Sequence, residues 1–222
     1  MTPGDAHGAY RPRYAYQRDP AAIYRESFAI VERETPWDHV PADVKGMVRR
    51  LIHACGMVDL ATDIRARGNV TGIGRAAIAD GHAILCDAAM VAAGITRSRF
   101  ATPLNIINTL RADATVAHAQ RLATTRSAAA VELWHDHLDG AVVAIGNAPT
   151  ALFHLLERLH GGWPKPAVIL AFPVGFVGAA ESKQALIEAD LGIPFLTVCG
   201  RRGGSALAAA AVNALGDGED DA

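Results

Sequence analysis

Four short runs of uninterrupted apolar residues constrain this chain more than any other feature: Ala83-Ile84-Leu85-Cys86, Ala141-Val142-Val143-Ala144-Ile145, Ala167-Val168-Ile169-Leu170-Ala171 and Pro194-Phe195-Leu196-Thr197-Val198. A strand with one wet face alternates apolar and polar residues, whereas an unbroken run requires cover on both faces. Helical patterns over 148–160, 180–190 and 205–215 intervene, so the second half reads β-α-β-α-β-α with right-handed crossovers. Upstream, a helix is expected from Asp19 to about Glu34, with Asp19-Pro20 as its start, and a more strongly patterned one over 42–62. The predicted fold is a single α/β domain, a mostly parallel doubly wound sheet flanked by helices and preceded by N-terminal helices.

The 222 residues suffice for one such core, and no internal repeat or linker marks a second. Residues 1–13 carry Pro, Gly and charge without apolar periodicity, and 217–222 are mostly acidic. Both are expected to be flexible, leaving 14–216 as the domain. A net charge of −2 argues against general affinity for nucleic acid or anionic membranes. Cys55, Cys86 and Cys199 stand far apart with no CxxC pair, which suggests neither a disulfide framework nor a zinc site. The N-terminal residues lack a signal-peptide core, and no apolar run is long enough to span a bilayer, so a cytoplasmic protein is expected.

Three of the strands run into a glycine-containing loop and then a helix: IGNAPTALFHLL, FPVGFVGAAESKQAL and CGRRGGSALAAAAVNAL. Beyond the carboxyl ends of parallel strands, helix N-termini offer unpaired N–H groups to an anion. Arg201, Arg202 and Lys183 add charge near that edge, so a cradle for a multiply anionic ligand is one expectation. The other is that the glycines only permit tight turns. None of the loops is GxGxxG or GxxxxGK[ST], which weakens a nucleotide-dependent enzyme.

His53 poses a separate question. At 100° per residue with Val48 at zero, Val44, Leu51, Ile52 and Cys55 fall within about 60°, whereas His53 lies about 140° away. It sits beside Arg49, Gly46 and Gly56, and glycine in a helix costs roughly 1 kcal/mol relative to alanine, which hints at close packing on that face. The pattern leaves open a solvated surface histidine and an imidazole that meets a ligand or a partner chain. His135-Asp136-His137 ends a helical stretch, where a two-residue spacing makes the imidazoles diverge, so no metal site is expected there. Glu181 and Ser182 open a helix, and without a base or GxSxG a hydrolase triad has little support. Arg126, at the start of an alanine-rich helix, is a candidate for holding a carboxylate bidentately.

IYRESFAI (23–30), LIHACG (51–56), ILCDAAMVAAGITR (84–97), TRSAAA (125–130), VVAIGNAPTALF (142–153), PVGFVGAAESK (173–183) and GRRGGSALAAAAVNAL (200–215) follow one another in this chain. Together they resemble the precorrin-8X methylmutase family of cobalamin biosynthesis. The resemblance implies an isomerase that moves a methyl group from C-11 to C-12 of precorrin-8X, giving hydrogenobyrinic acid. By this likeness His53 is the proton donor and acceptor. Ser27, Thr96, Arg97 and Arg126 line the substrate pocket, and Asn147, Ser182 and Lys183 in the glycine-loop segments complete the expected binding set. A 1,5-sigmatropic shift helped by one acid/base group needs no nucleophile, metal or redox cofactor. The resemblance further implies a homodimer with pockets near the subunit interface. The alternative of a noncatalytic corrinoid carrier would share the binding residues without the chemistry.

Overall fold

The structure, a computed structural model, describes residues 13–216. The expected N-terminal extension and acidic tail therefore lie, except for Arg13, outside the described residues. Helix α1, Pro20–Glu34, begins where the Asp19-Pro20 pair predicts. The Asp19 carboxylate accepts the Ala21 amide, and proline takes a first-turn position that needs no N–H. Helix α2, Lys45–Cys55, is shorter than its pattern suggests. Gly56 adopts φ +70° and its N–H closes on the Ile52 carbonyl, which ends the right-handed helix there. The apolar residues that follow belong to a 3-10 turn, Val58–Asp63. Gly56 is thus a cap, not a small residue on the helix face beside His53.

The remaining elements are β1 (Ile64–Arg67), α3 (Val70–Ala79), β2 (Ile84–Cys86), α4 (Ala89–Gly94), β3 (Ile106–Ile107), α5 (Asp113–Leu122), α6 (Arg126–Val131), β4 (Val142–Ile145), α7 (Pro149–His160), β5 (Val168–Ala171), α8 (Ala179–Glu188), β6 (Phe195–Val198) and α9 (Ser205–Asn213). They build one sheet in the order β1-β6-β5-β4-β2-β3, parallel except where β1 meets β6. The four apolar runs are its four central strands, buried throughout. Both outer strands escape a reading by hydropathy. β1 is the charged sequence IRAR on an edge, and β3 is only two residues long.

Alternate side chains of the central strands point to opposite faces. Val142, Ala144, Val168, Leu170, Leu196 and Val198 meet one core under α2, α3, α4 and α9, while Val143, Ile145, Ile169, Ala171 and Phe195 meet another under α6, α7 and α8. This two-sided burial is what the unbroken apolar runs require. α1 lies against α2, outside the first layer. The chain leaves β2 for β3 on one side and returns to β4 on the other, so the strand order reverses between β2 and β4. In open α/β sheets that reversal marks the ligand crevice.

Candidate active site

His53 is exposed on the last turn of α2, off the stripe formed by Val48, Leu51 and Ile52, which are buried. It is nevertheless held in place. The Ser27 hydroxyl of α1 lies 2.9 Å from Nδ1. Phe28 stacks on the imidazole at 4.9 Å between ring centres and 15° between planes, and Tyr24 meets it edge-on at 5.3 Å. Tyr24, Ser27 and Phe28 come from successive positions on one face of α1, which is why the helix ahead of α2 matters to the site. The Arg50 guanidinium, one turn before His53, donates to the Tyr24 hydroxyl at 3.1 Å and completes this wall.

The ring separates two cavities. One, of about 320 Å³, lies between α2, the end of α4 and α9, and is lined by Arg50, His53, Ala54, Gly94, Ala209 and Asn213 among others. The other, of about 180 Å³, opens toward α1 beside Ser27, Ile30, Glu34 and Val58. Ser27 lines the smaller cavity and engages Nδ1, which leaves Nε2 as the ring nitrogen not held by Ser27. Pockets for small ligands run from about 300 to 1,000 Å³, so the larger cavity is at the lower end of that range. Two bigger hollows lie elsewhere. The one along α8, about 450 Å³, presents Glu181 and Glu188 and repels a polyanion. The one beside β1, about 530 Å³, is lined by His39, Thr62 and Arg65, whose guanidinium already serves the Thr62 and Ile64 carbonyls.

Thr96 and Arg97 follow the end of α4 and are exposed. The Asn213 carboxamide fixes this segment from α9: its Oδ1 accepts the Thr96 amide at 2.8 Å and its Nδ2 donates to the Gly94 carbonyl at 3.0 Å. At Gly94 a Cβ would stand 2.7 Å from that of Ala209, so glycine lets α4 and α9 approach at the cavity wall. His53, Ser27 and Thr96 therefore belong to one region.

Arg126 and Asn147 belong to another. Arg126 is the exposed first residue of α6, which packs on the sheet face opposite α2. Asn147 is exposed in the β4–α7 turn. Thr125, the N-cap of α6, links the two through a 2.8 Å contact with the Thr150 hydroxyl of α7. Ser182 and Lys183 turn inward and are wholly buried. The Ser182 hydroxyl donates to the Ala179 carbonyl at 3.1 Å, and Lys183 Nζ to the Arg202 carbonyl at 2.7 Å. Burial pulls the Lys183 ammonium down to about 8, against the opposing pull of Cys199 and Asp63. In this conformation neither side chain presents a polar atom to a ligand.

The cationic cradle expected at the glycine loops is likewise mostly self-satisfied. Arg202 is tied to Asp59 at 2.7 Å and to Asp63, while Arg201 stands over the exposed Phe176 ring. At the β2/β4 reversal, Asp87 is 2% exposed and fills the turn. Its Oδ1 accepts the Gly146 amide at 2.9 Å, and its Oδ2 accepts those of Asn147 and Ala148 at 2.9 and 2.8 Å. Burial pushes this carboxyl up, and the three N–H groups offset part of that. A nucleotide phosphate at this turn would need the same amides, so the β4–α7 loop lends a nucleotide-dependent enzyme no support. Asp87, Asn213, Tyr24 and Arg50 are contributors that sequence reasoning missed. The signals present were an aspartate directly after a strand and a lone asparagine in an alanine run. His135 pairs with Asp136 at 2.9 Å and meets Trp163 edge-on, and among the described residues no group of three or more His, Cys, Asp or Glu is placed to hold a metal.

Comparison with known proteins bears on this arrangement. A family model described as precorrin-8X methylmutase (CbiC) matches residues 22–217. The precorrin-8X methylmutase of Pseudomonas aeruginosa is 57% identical over 200 residues, covering 90% of this chain and 96% of its own. The protein of that name from a Sinorhizobium species is 51% identical over 204 residues, covering 92% and 97%. Among solved structures, the precorrin-8x methyl mutase of Thermus thermophilus superimposes with a TM-score of 0.78 at 38% identity, covering 87% of this chain and 93% of its own. The chain belongs to the precorrin-8X methylmutase family of isomerases in cobalamin biosynthesis.

Proposed function

We propose that this chain moves the methyl group of precorrin-8X from C-11 to C-12, giving hydrogenobyrinic acid, through a 1,5-sigmatropic shift assisted by His53. The observation that carries this reading is the placement of the imidazole. It is exposed, yet gripped at Nδ1 by Ser27 and along its face by Phe28, and it lines the larger cavity. A methyl group on a quaternary carbon leaves poorly as an ion, but a concerted shift needs only a favourable electron distribution in the conjugated ring. Proton donation from His53 to the macrocycle draws electron density away, the methyl migrates, and return of the proton to the imidazole completes the isomerisation. A single positioned acid/base group is enough for such a cycle. The relatives at 57% and 51% identity carry the name precorrin-8X methylmutase, which favours the metal-free substrate.

Thr96, Arg97, Arg126 and Asn147 are read as substrate contacts, with cations and amides meeting the carboxylate arms of the tetrapyrrole. Ser27 orients His53. Ser182 and Lys183, facing inward, shape the loop before α8 and that before α9. The catalytic domain is read as 14–216. Because Arg126 and His53 lie on opposite faces of the sheet and the cavity at His53 is small, a homodimer with the pocket near its interface suits the site. Phe176 and Val177, 84% and 89% exposed, are apolar surface that such an interface would cover. No helix of the described residues is long and apolar enough to cross a membrane, which is compatible with a cytoplasmic enzyme.

The test is incubation with precorrin-8X while the absorption spectrum is followed, with cobalt-precorrin-8 as the comparison substrate and light scattering for the subunit number. The parent should convert precorrin-8X, and His53→Ala should bind it without conversion. Conversion by the variant at the parent rate removes His53 from the mechanism. Tight binding of hydrogenobyrinic acid by a parent that leaves precorrin-8X unchanged would instead identify a carrier.

A further inference from the structure

The turn from Gly146 to Ala148 is where a doubly wound sheet offers backbone amides to an anion, and in this chain a neighbouring strand supplies the anion itself. Asp87 follows β2 directly. Its own amide donates to the Ala144 carbonyl of β4 at 3.3 Å, and the carbonyl of Cys86 before it accepts Asn108 Nδ2 at 2.7 Å. The backbone of Asp87 is thus fixed on both sides, and both carboxylate oxygens are engaged by three successive amides of the turn. Rotation of the carboxylate would break at least two of these bonds at once.

What the turn holds makes this placement consequential. Asn147 lies within it. Pro149 starts α7 immediately after it, and Thr150, one residue on, meets Thr125, whose hydroxyl caps α6 by accepting the Ala128 amide at 3.2 Å. Arg126 is the next residue. On the other side Gly146 is packed so closely on α9 that a Cβ would stand 2.8 Å from both Ala208 Cβ and Ser205 Cα. Ala209 and Asn213 of that helix line the cavity at His53. One buried carboxylate therefore sits where the α6 rim, the Asn147 turn and the start of α9 meet.

We propose that Asp87 is a positioning residue of the methylmutase, a built-in carboxylate that closes the anion crevice of the sheet and holds Asn147 and Arg126 in register for substrate. This rests on the reading of those two residues as substrate contacts. The chemistry predicts rescue by a small carboxylate. Asp87→Ala removes the carboxylate and leaves a space of matching size, which formate can enter to accept the three amides.

The experiment measures kcat and KM for precorrin-8X, and Tm, for the parent and Asp87→Ala with and without formate, using chloride at equal ionic strength as the control. A misplaced contact that weakens ground-state and transition-state binding alike raises KM about tenfold while kcat stays within about threefold. Formate should restore most of that KM and raise the Tm of the variant, leave the parent unchanged in both, and act where chloride does not. A folded Asp87→Ala with the parent KM, or one that chloride restores as well as formate, overturns the proposal. Should Asp87→Ala fail to fold, Asp87→Asn keeps the volume and one accepting oxygen. Its KM should rise several-fold, and a parent-like KM overturns the proposal equally. If the parent itself does not convert precorrin-8X, the methyl-shift reading fails. The formate-specific rise in Tm then decides the Asp87 anchor alone, its presence supporting it and its absence overturning it.

Discussion

The glycine-rich edge of the sheet and the outer face of α2 both collect polar groups, and they use them in opposite ways. At the sheet edge the cations and amides find partners within the chain. Asp87 takes three amides, Asp59 and Asp63 take Arg202, and Lys183 serves the Arg202 carbonyl. At α2 the imidazole is fixed by one hydroxyl and two rings, and the residue lines two cavities. Buried polar groups must be satisfied internally, so a region that completes its own hydrogen bonding gains rigidity and loses availability to a ligand. Charge and glycine near a sheet edge thus do not by themselves make a binding site. An ordered side chain that lines a cavity is a better indicator.

The largest effect that could break this contrast is at His53. His53→Ala should lower kcat by roughly 10²–10⁴-fold, the usual contribution of a positioned acid/base group, with stability close to the parent because the residue is exposed. Steady-state kinetics with a parallel urea denaturation separates the two. The sheet edge should show the reverse. In Gly146→Ala the new Cβ would meet Ala208, Ser205 and Val91 at 2.8–2.9 Å. Such overpacking costs about 1–3 kcal/mol, read as a lowered urea midpoint, and an unshifted midpoint would deny that the turn is close-packed.

Ser27→Ala sharpens the comparison on the α2 side. Loss of the bond to Nδ1 leaves Phe28 stacking in place, and a net hydrogen bond of about 0.5–1.5 kcal/mol corresponds to a kcat drop of up to roughly tenfold with little change in Tm. The smallest effect concerns pH and Lys183. Its folded value of about 8 lies below the ordinary 10.5 because burial disfavours the ammonium. Between those values the unfolded chain binds the proton more tightly, so this residue makes stability increase as pH rises from about 8 toward 10.5, and lose that increment as pH falls back. Lys183→Met should flatten that part of the stability–pH curve, and an unchanged slope would show that the ammonium is hydrated in solution.

Much of the architecture is legible in the sequence because burial on two faces leaves a local trace. Val142, Val143, Ile169 and Leu170 are apolar without alternation, and each is a central-strand residue. β1 leaves no such trace, since an edge strand keeps Arg65 and Arg67 in water. The end of α2 is not legible in the sequence because amphipathic periodicity continues through the 3-10 turn, whereas Gly56 stops the helix by its backbone conformation. For the site, the helical phase of His53 correctly removed it from its own helix's core. The phase could not reveal Ser27 and Phe28 above it, 26 and 25 residues earlier in the chain. Lys183 shows the opposite failure. Near a glycine loop a lysine reads as a ligand contact, and only packing showed its ammonium turned toward the Arg202 carbonyl.

The sequence by itself determined the sheet core, the helices that alternate with its last strands, the off-core position of His53 and, through its motif series, the family. These are properties of local periodicity and of residue identity, which need no knowledge of what lies across the fold. Tertiary structure alone decided which polar groups remain available. That depends on partners brought together from distant segments, as when Asp87 meets Gly146 to Ala148 or Asn213 meets Thr96. A hydrogen bond is satisfied in space, and nothing in the spacing of residues along the chain records it.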